Sequence, residues 1–239
     1  MTGSFDDWSE SWEKPKKYEG SQIPEVQKRI QEVLSLWNKP LPSSWIRQKW
    51  RHIQKIGYRR GDKNSLKPKS EHLLEKRLFD IPSWLVTGLG EKVAFLPVLN
   101  AVSLSNQNPK QREIDVLGIL KFPNRSIACS AEMKGASTNS AWFAVVENLQ
   151  HLKLIQHQAL DFLPCESPFD DLRNLAWSKT WGMVLAPPPF FNSKGQKKNS
   201  FRDAKELIKC IKQELKVTIL LACFPDKAQA SIKVLFRPD

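Results

Sequence analysis

The sequence predicts an α/β protein in which a central mixed β-sheet is flanked by helices. Three apolar runs rich in β-branched residues follow one another between residues 92 and 134, which is typical of consecutive strands. A helical run, a strand, a second helical run and two closing strands come after them. This order, in which strands precede helices and further strands follow, favours a sheet of mixed direction.

The chain is strongly basic, which favours a polyanionic partner. Its 239 residues contain 37 Lys and Arg against 25 Asp and Glu, a formal net charge of +12. When such cations neutralise phosphates, counterions are released and binding to nucleic acid becomes stronger. Hydrophobic residues make up 41% of the chain, which is enough to bury a substantial core and excludes wholesale disorder.

The sequence disfavours three further classes: proteins with a structural zinc site, secreted proteins and membrane-spanning proteins. The four cysteines have no CxxC spacing, and the four histidines supply no matching pattern of zinc ligands. The amino terminus is acidic and polar, unlike a signal peptide, and no apolar run reaches 18 residues. We therefore expect a soluble, cytoplasmic protein with reduced thiols.

Two segments are predicted ahead of the sheet. Residues 1–23 are acidic and contain Gly and Ser, which predicts a flexible acidic leader, although Trp8 and Trp12 could dock on a partner. Residues 24–69 are predicted to form a helical basic arm that opens with an amphipathic helix. Its second half, residues 45–69, carries nine Lys and Arg against one acid, with aromatic residues interleaved.

The basic half of this arm has two interpretations. Interleaved cations and aromatic rings are typical of nucleic-acid-binding segments, in which cations contact phosphates and rings stack on bases. A solvated amphipathic helix is the alternative, since Trp45, Trp50 and Ile53 can form one apolar stripe. The predicted nucleic-acid contacts, which include two lysines of a later polar loop, are Arg47, Lys49, Arg51, Lys55, Arg59, Arg60, Lys197 and Lys198.

Residues 70–239 are predicted to form the main domain. Ser70 is a good N-cap for the helix EHLLEKRLF, which should end near Asp80. Turns that contain Pro and Asn separate the strands that follow. The predicted elements after that helix are strands over 92–104, 112–122 and 126–134, a helix over 140–162, a strand from 181, a helix over 201–216 and a closing hairpin.

Charged side chains occur where the second and third of these strands should meet. Glu132 and Lys134 end the third strand two positions apart, so they point to the same side. An antiparallel hairpin would place Asp115 of the second strand near Glu132. Two adjacent carboxylates repel unless a cation lies between them, and oxygen ligands suit Mg²⁺. A neighbouring lysine can orient a water nucleophile and offset the charge that develops in the transition state.

This pattern resembles the PD-(D/E)XK nuclease superfamily, which has the restriction-endonuclease-like fold. The matching residues are Ile114-Asp115, sixteen intervening positions, and Glu132-Met133-Lys134, with Ile114 in place of the family's proline. The resemblance implies an αβββαβ core over residues 70–186 within a nuclease-like domain of residues 70–239. The family's preceding helix often supplies a further acid, for which Glu71 and Glu75 are the candidates.

The resemblance also implies an activity. Asp115, Glu132 and Glu71 would bind Mg²⁺ or Mn²⁺, Lys134 would act on the water, and Glu71 or Glu75 would complete the site. The implied function is a DNA endonuclease of the restriction, mobile-element or repair type. Because one catalytic unit cuts one strand at a time, cleavage of both strands would require a homodimer or another protein subunit.

Other interpretations stay open at this point. One is a non-catalytic nucleic-acid-binding module on the same fold, and another is a scaffold protein whose Trp-rich leader docks on a partner. RNA is not excluded, because no residue pattern in the chain reads a 2′-hydroxyl. The plain structural interpretation of the charged cluster is a set of cross-strand ion pairs without catalysis.

Overall fold

The computed structural model describes residues 5–17, 23–41, 71–103, 113–136, 140–158, 174–191, 196–224 and 230–239. The strands are β1 (Trp84–Thr87), β2 (Val93–Ser103), β3 (Glu113–Lys121), β4 (Ser126–Met133), β5 (Trp181–Ala186), β6 (Ile219–Cys223) and β7 (Ser231–Phe236). The helices are α1 (Phe5–Lys16), α2 (Ile23–Asn38), α3 (Glu71–Phe79), α4 (Ala141–Gln158), α5 (Pro188–Phe191) and α6 (Gln196–Cys210). A π-helical turn, Ile211–Leu215, extends α6.

The seven strands form a closed barrel in sequence order. Strands β1 to β4 pair antiparallel, β4, β5 and β6 pair parallel, and β6 pairs antiparallel with β7. The barrel closes through β1, which pairs parallel with β7 in a register that matches Leu85 with Ser231. At this junction the Leu85 amide donates a hydrogen bond of 3.0 Å to the carbonyl of Ala230.

The predicted fold class, an open restriction-endonuclease-like sheet flanked by helices, is therefore wrong. The strand directions are mixed, as expected, and six of the seven strands lie where the sequence predicts them. The seventh, β1, is absent from the prediction because its four residues lie between Pro82 and Gly88 and are too few for a clear periodic pattern. Its pairing with both β2 and β7 turns the sheet into a ring.

Apolar side chains pack on both sides of the barrel wall. One cluster draws on all seven strands and fills the interior, with Trp84, Phe95 and Met133 among its buried members. The other lies on the outer face of β3 to β6, where α4 covers the strands with Trp142 and Leu149. Alternation along each strand divides the side chains between these two clusters, so the outer face of β3 and β4 is buried as well.

The first two helices pack on this outer cluster. Trp12 of α1 is fully buried, and the indole N–H of Trp142 donates a hydrogen bond of 2.6 Å to the Pro15 carbonyl. Residues 5–16, within the segment predicted as a flexible leader, form a helix in which Trp12 and Lys16 are buried. Helix α2 confirms the amphipathic helix predicted at the start of the arm. Lys153 of α4 is buried and donates hydrogen bonds to main-chain carbonyls at the end of α2.

Within the described ranges, no helix combines the length and the apolarity needed to cross a membrane.

Candidate functional site

Asp115 and Glu132 lie opposite each other on neighbouring strands. The β3–β4 hairpin matches Val116 with Ala131, so the next pair in the same register is Asp115 with Glu132. Asp115 Oδ2 accepts a hydrogen bond of 2.8 Å from the Met133 amide. The juxtaposition expected from the sequence is present, on the outer face that α4 covers.

Lys134 lies between two carboxylates that come from different elements. Its Nζ is 2.6 Å from Glu132 Oε1 on β4 and 2.9 Å from Glu147 Oε2 on α4. His151, one turn after Glu147, places its Nδ1 3.2 Å from Glu132 Oε2. Residues four apart lie on the same face of a helix, so α4 contacts Lys134 through Glu147 and Glu132 through His151.

This site is mostly shielded from solvent. Glu132, Lys134 and His151 are 3%, 5% and 3% exposed, whereas Asp115 is partly exposed and the Glu147 side chain is 20% exposed. Glu132 Oε2 and His151 Nδ1 face each other at 3.2 Å and make no well-aligned hydrogen bond to the described residues. A buried carboxyl group without a well-aligned partner is costly to ionise, and a bound cation would reduce that cost.

The electrostatics of the carboxylate pair favour an additional cation. Burial raises the pKa of Asp115 well above its usual value, and the charge of Glu132 raises it further. Burial also raises the pKa of Glu132, and the charge of Glu147 adds to this, while the contact with Lys134 acts in the opposite direction. A positive charge placed between the two carboxylates would relieve both shifts.

The other two groups are held in defined protonation states. Burial lowers the pKa of Lys134, but the charges of Glu132 and Glu147 outweigh it, so the net pKa lies above the usual value and the ammonium form persists. Burial raises the pKa of Glu147, yet Lys134 and the Lys16 side chain of α1 together bring it to about 2. Lys134 and Glu147 therefore form an ion pair at neutral pH.

The two candidate acids of α3 approach the cluster from another side. Glu75 is fully buried, and its Oε2 accepts a hydrogen bond of 2.8 Å from the Asn100 side chain, which also donates to the Asp115 carbonyl. Its charge contributes to the raised pKa of Asp115. Glu71 Oε1 accepts a hydrogen bond of 3.3 Å from the Gly135 amide, just after β4. Both acids therefore adjoin the site, and Glu75 is connected to Asp115 through Asn100.

The site fits a divalent cation held by two carboxylates. No group of three or more His, Cys, Asp or Glu residues in the described part of the chain is arranged to hold a metal. Mg²⁺ keeps several waters and needs only one or two carboxylates, and Asp115 and Glu132 supply these. The buried Glu132 Oε2, whose neighbour at 3.2 Å is the neutral imidazole of His151, is the observation that supports this fit.

The predicted nucleic-acid contacts cannot be placed in the site. Six of them lie in residues 42–70, outside the described residues. Lys197 and Lys198 lie in the first turn of α6 and not in the polar loop that the sequence predicts. Their side chains are outside the described part of the chain.

Sequence reasoning missed the residues that α4 and β2 contribute. Glu147 and His151 occur in the otherwise apolar run AWFAVVENLQHLKLI, and Asn100 occurs in the apolar strand β2. A charged or amide residue inside a buried run needs a polar partner, and this signal was present in the sequence. Which partner each one has depends on how α4 and β2 lie against β3 and β4.

Comparison with known proteins gives no identification: no family model, no curated protein and no solved structure matches this chain. Its function is therefore argued from the site and not from relatives.

Proposed function

We propose that this protein is a metal-dependent DNA endonuclease that hydrolyses phosphodiester bonds. The observation that carries the proposal is the opposed pair Asp115 and Glu132, with the Lys134 ammonium 2.6 Å from Glu132 in a site that is largely closed to solvent. The closed barrel does not weaken this argument, because a hydrolytic site depends on the placement of its side chains and not on one fold.

Each side chain has a role in this proposal. Asp115 and Glu132 would hold one Mg²⁺ or Mn²⁺, which when bound supplies Lewis acidity toward a phosphoryl oxygen. Lys134 would orient the attacking water and stabilise the negative charge that develops on the phosphoryl group. Asn100 would keep Asp115 in place through its main chain, because it joins the Asp115 carbonyl to the buried Glu75.

The proposed substrate follows from charge. A formal charge of +12 favours a polyanion, and the phosphate backbone is the part of DNA that such a surface contacts. The basic arm of residues 24–69 is the proposed source of these contacts.

A non-catalytic nucleic-acid-binding module is the second candidate, and one observation favours it. The Lys134 ammonium already neutralises part of the charge on Glu132 and Glu147 without any metal ion. This candidate predicts that binding to nucleic acid persists in EDTA and after substitution of Lys134.

A cleavage assay separates the two candidates. Wild type, Lys134→Met and the control Lys209→Met, which changes an exposed lysine of α6, are incubated with plasmid, linear and single-stranded DNA and with RNA, in Mg²⁺ or EDTA. We expect cleavage that requires Mg²⁺ and falls at least about 100-fold in Lys134→Met but not in the control.

Other results of this assay would contradict the endonuclease. Binding that withstands EDTA, with no cleavage of any substrate, would favour the binding module. Cleavage of RNA alone would show that the substrate is RNA and not DNA. If the protein neither binds nor cleaves nucleic acid, the scaffold alternative is favoured, and binding that does not weaken with salt would point the same way.

A further inference from the structure

Helix α4 is fixed to the barrel at the point where it carries Glu147. The next residue, Asn148, donates a hydrogen bond of 2.9 Å to the Ser130 carbonyl of β4. Gly182 of β5 allows this approach, because a Cβ at position 182 would lie 2.0 Å from Asn148 Oδ1. This close contact fixes the position of the neighbouring Glu147 relative to β4.

The proposed metal ion and Lys134 compete for the same carboxylate. Lys134 Nζ lies 2.6 Å from Glu132 Oε1, so a divalent ion held by Glu132 would repel the ammonium at short range. A lysine that left the site could no longer orient the water nucleophile. Retaining it requires a second anionic contact that does not hold the metal ion.

We propose that Glu147 is a positioning residue that retains Lys134 in the site when a divalent cation binds Glu132 and Asp115. This inference rests on the proposed function. Glu147 Oε2 is 2.9 Å from Lys134 Nζ, close enough for a charge-assisted contact. Because Glu147 comes from α4 and not from β4, it contacts the lysine from a second element.

The test compares Glu147→Gln, Glu147→Asp and a control, Glu206→Gln, which alters an exposed carboxylate of α6 that also pairs with a lysine. Mn²⁺ affinity is measured by electron paramagnetic resonance without nucleic acid, and kcat and KM are measured in Mg²⁺. We expect both Glu147 variants to bind Mn²⁺ more weakly and to lose kcat, each by about 10-fold or more, with little change in KM. The control should match wild type.

The aspartate variant separates positioning from net charge. It keeps the negative charge but is one methylene shorter, so its carboxylate no longer reaches the position 2.9 Å from Lys134. If Glu147→Asp matches wild type in Mn²⁺ affinity and kcat, the positioning role is overturned. Thermal melting in EDTA checks that each variant is folded. If Glu147→Gln does not fold, Glu147→Asp alone serves as the test.

A Lys134→Met background tests whether Glu147 acts through the lysine. There we expect Glu147→Gln to change Mn²⁺ affinity less than about twofold, because the competing ammonium is gone. An equal loss in both backgrounds would overturn the inference. If wild type binds Mn²⁺ but cleaves nothing, the endonuclease fails while the Mn²⁺ comparison still decides the role of Glu147. If wild type binds no Mn²⁺, both fail.

Discussion

Glu132, Lys134, Glu147 and His151 share one buried network between β4 and α4. In a region of low dielectric constant each charge depends on its partner, and removal of one member of a buried ion pair costs about 3–5 kcal/mol. His151 is the neutral member, because burial lowers its pKa to about 4. The cost of charging this buried histidine gives a prediction on pH.

We predict that His151→Gln removes part of the acid sensitivity of the protein. The pKa of His151 is about 4 in the folded state and about 6.5 in an unfolded chain. The unfolded state therefore binds more protons between these values, and stability falls as pH falls through that window. Relative to the variant, wild type should lose about 2 kcal/mol of unfolding free energy between pH 7 and pH 5.

Urea unfolding at several pH values measures this difference. Parallel profiles for wild type and His151→Gln would contradict the expected role of His151. The profile of wild type is compared with that of His151→Gln because the raised pKa of Glu132 acts on stability in the opposite direction over the same window. The difference between the two profiles isolates the contribution of His151.

Helix α1 is the element that departs most from its sequence pattern. Its acids predict solvation, yet Trp12 is fully buried and the Pro15 carbonyl accepts the Trp142 indole N–H. Lys16, 4% exposed, also adds to the positive charge that lowers the pKa of Glu147. The helix thus connects the amino-terminal region to the site through α4.

We predict that Trp12→Ala destabilises the whole protein. Truncation of a fully buried tryptophan costs about 3–5 kcal/mol through lost burial and the cavity that forms. Urea unfolding should show a lower midpoint for this variant. Lys14→Ala, an exposed position of the same helix, is the control and should change stability by less than about 0.5 kcal/mol. A flexible leader would instead leave the midpoint unchanged in both variants.

Closure of the barrel determines the architecture of the molecule. In an open sheet with this strand order, β1 and β7 would be edges with unpaired amides. In the barrel they pair with each other, and the Leu85 amide donates to the Ala230 carbonyl across the junction.

Hydrogen exchange can test this closure at a single amide. We expect the Leu85 amide to exchange slowly, within about tenfold of the Gly182 amide, which donates to the Thr218 carbonyl between two interior strands. Nuclear magnetic resonance measures both amides in one sample. Rapid exchange at Leu85 with a protected Gly182 would show that the sheet is open in solution.

Much of the sheet and half of the site can be predicted from local pattern. The bounds of β3 and β4 agree with the sequence to within one residue, because apolar runs and Pro-Asn turns act over short distances. The same hairpin placed Asp115 near Glu132. Glu147 and His151 were missed because their partners depend on how a helix crosses the sheet, which local periodicity does not contain.

The sequence by itself determined six of the seven strands, the helices α2, α3, α4 and α6, and the acid pair that a short hairpin brings together. Only the tertiary structure decided that β1 joins β7, that α1 packs on α4, and that Lys134 lies between Glu132 and Glu147. The reason is physical: side-chain alternation and turn chemistry are local, whereas Leu85 and Ser231 are far apart in the chain and meet only when the whole core is assembled.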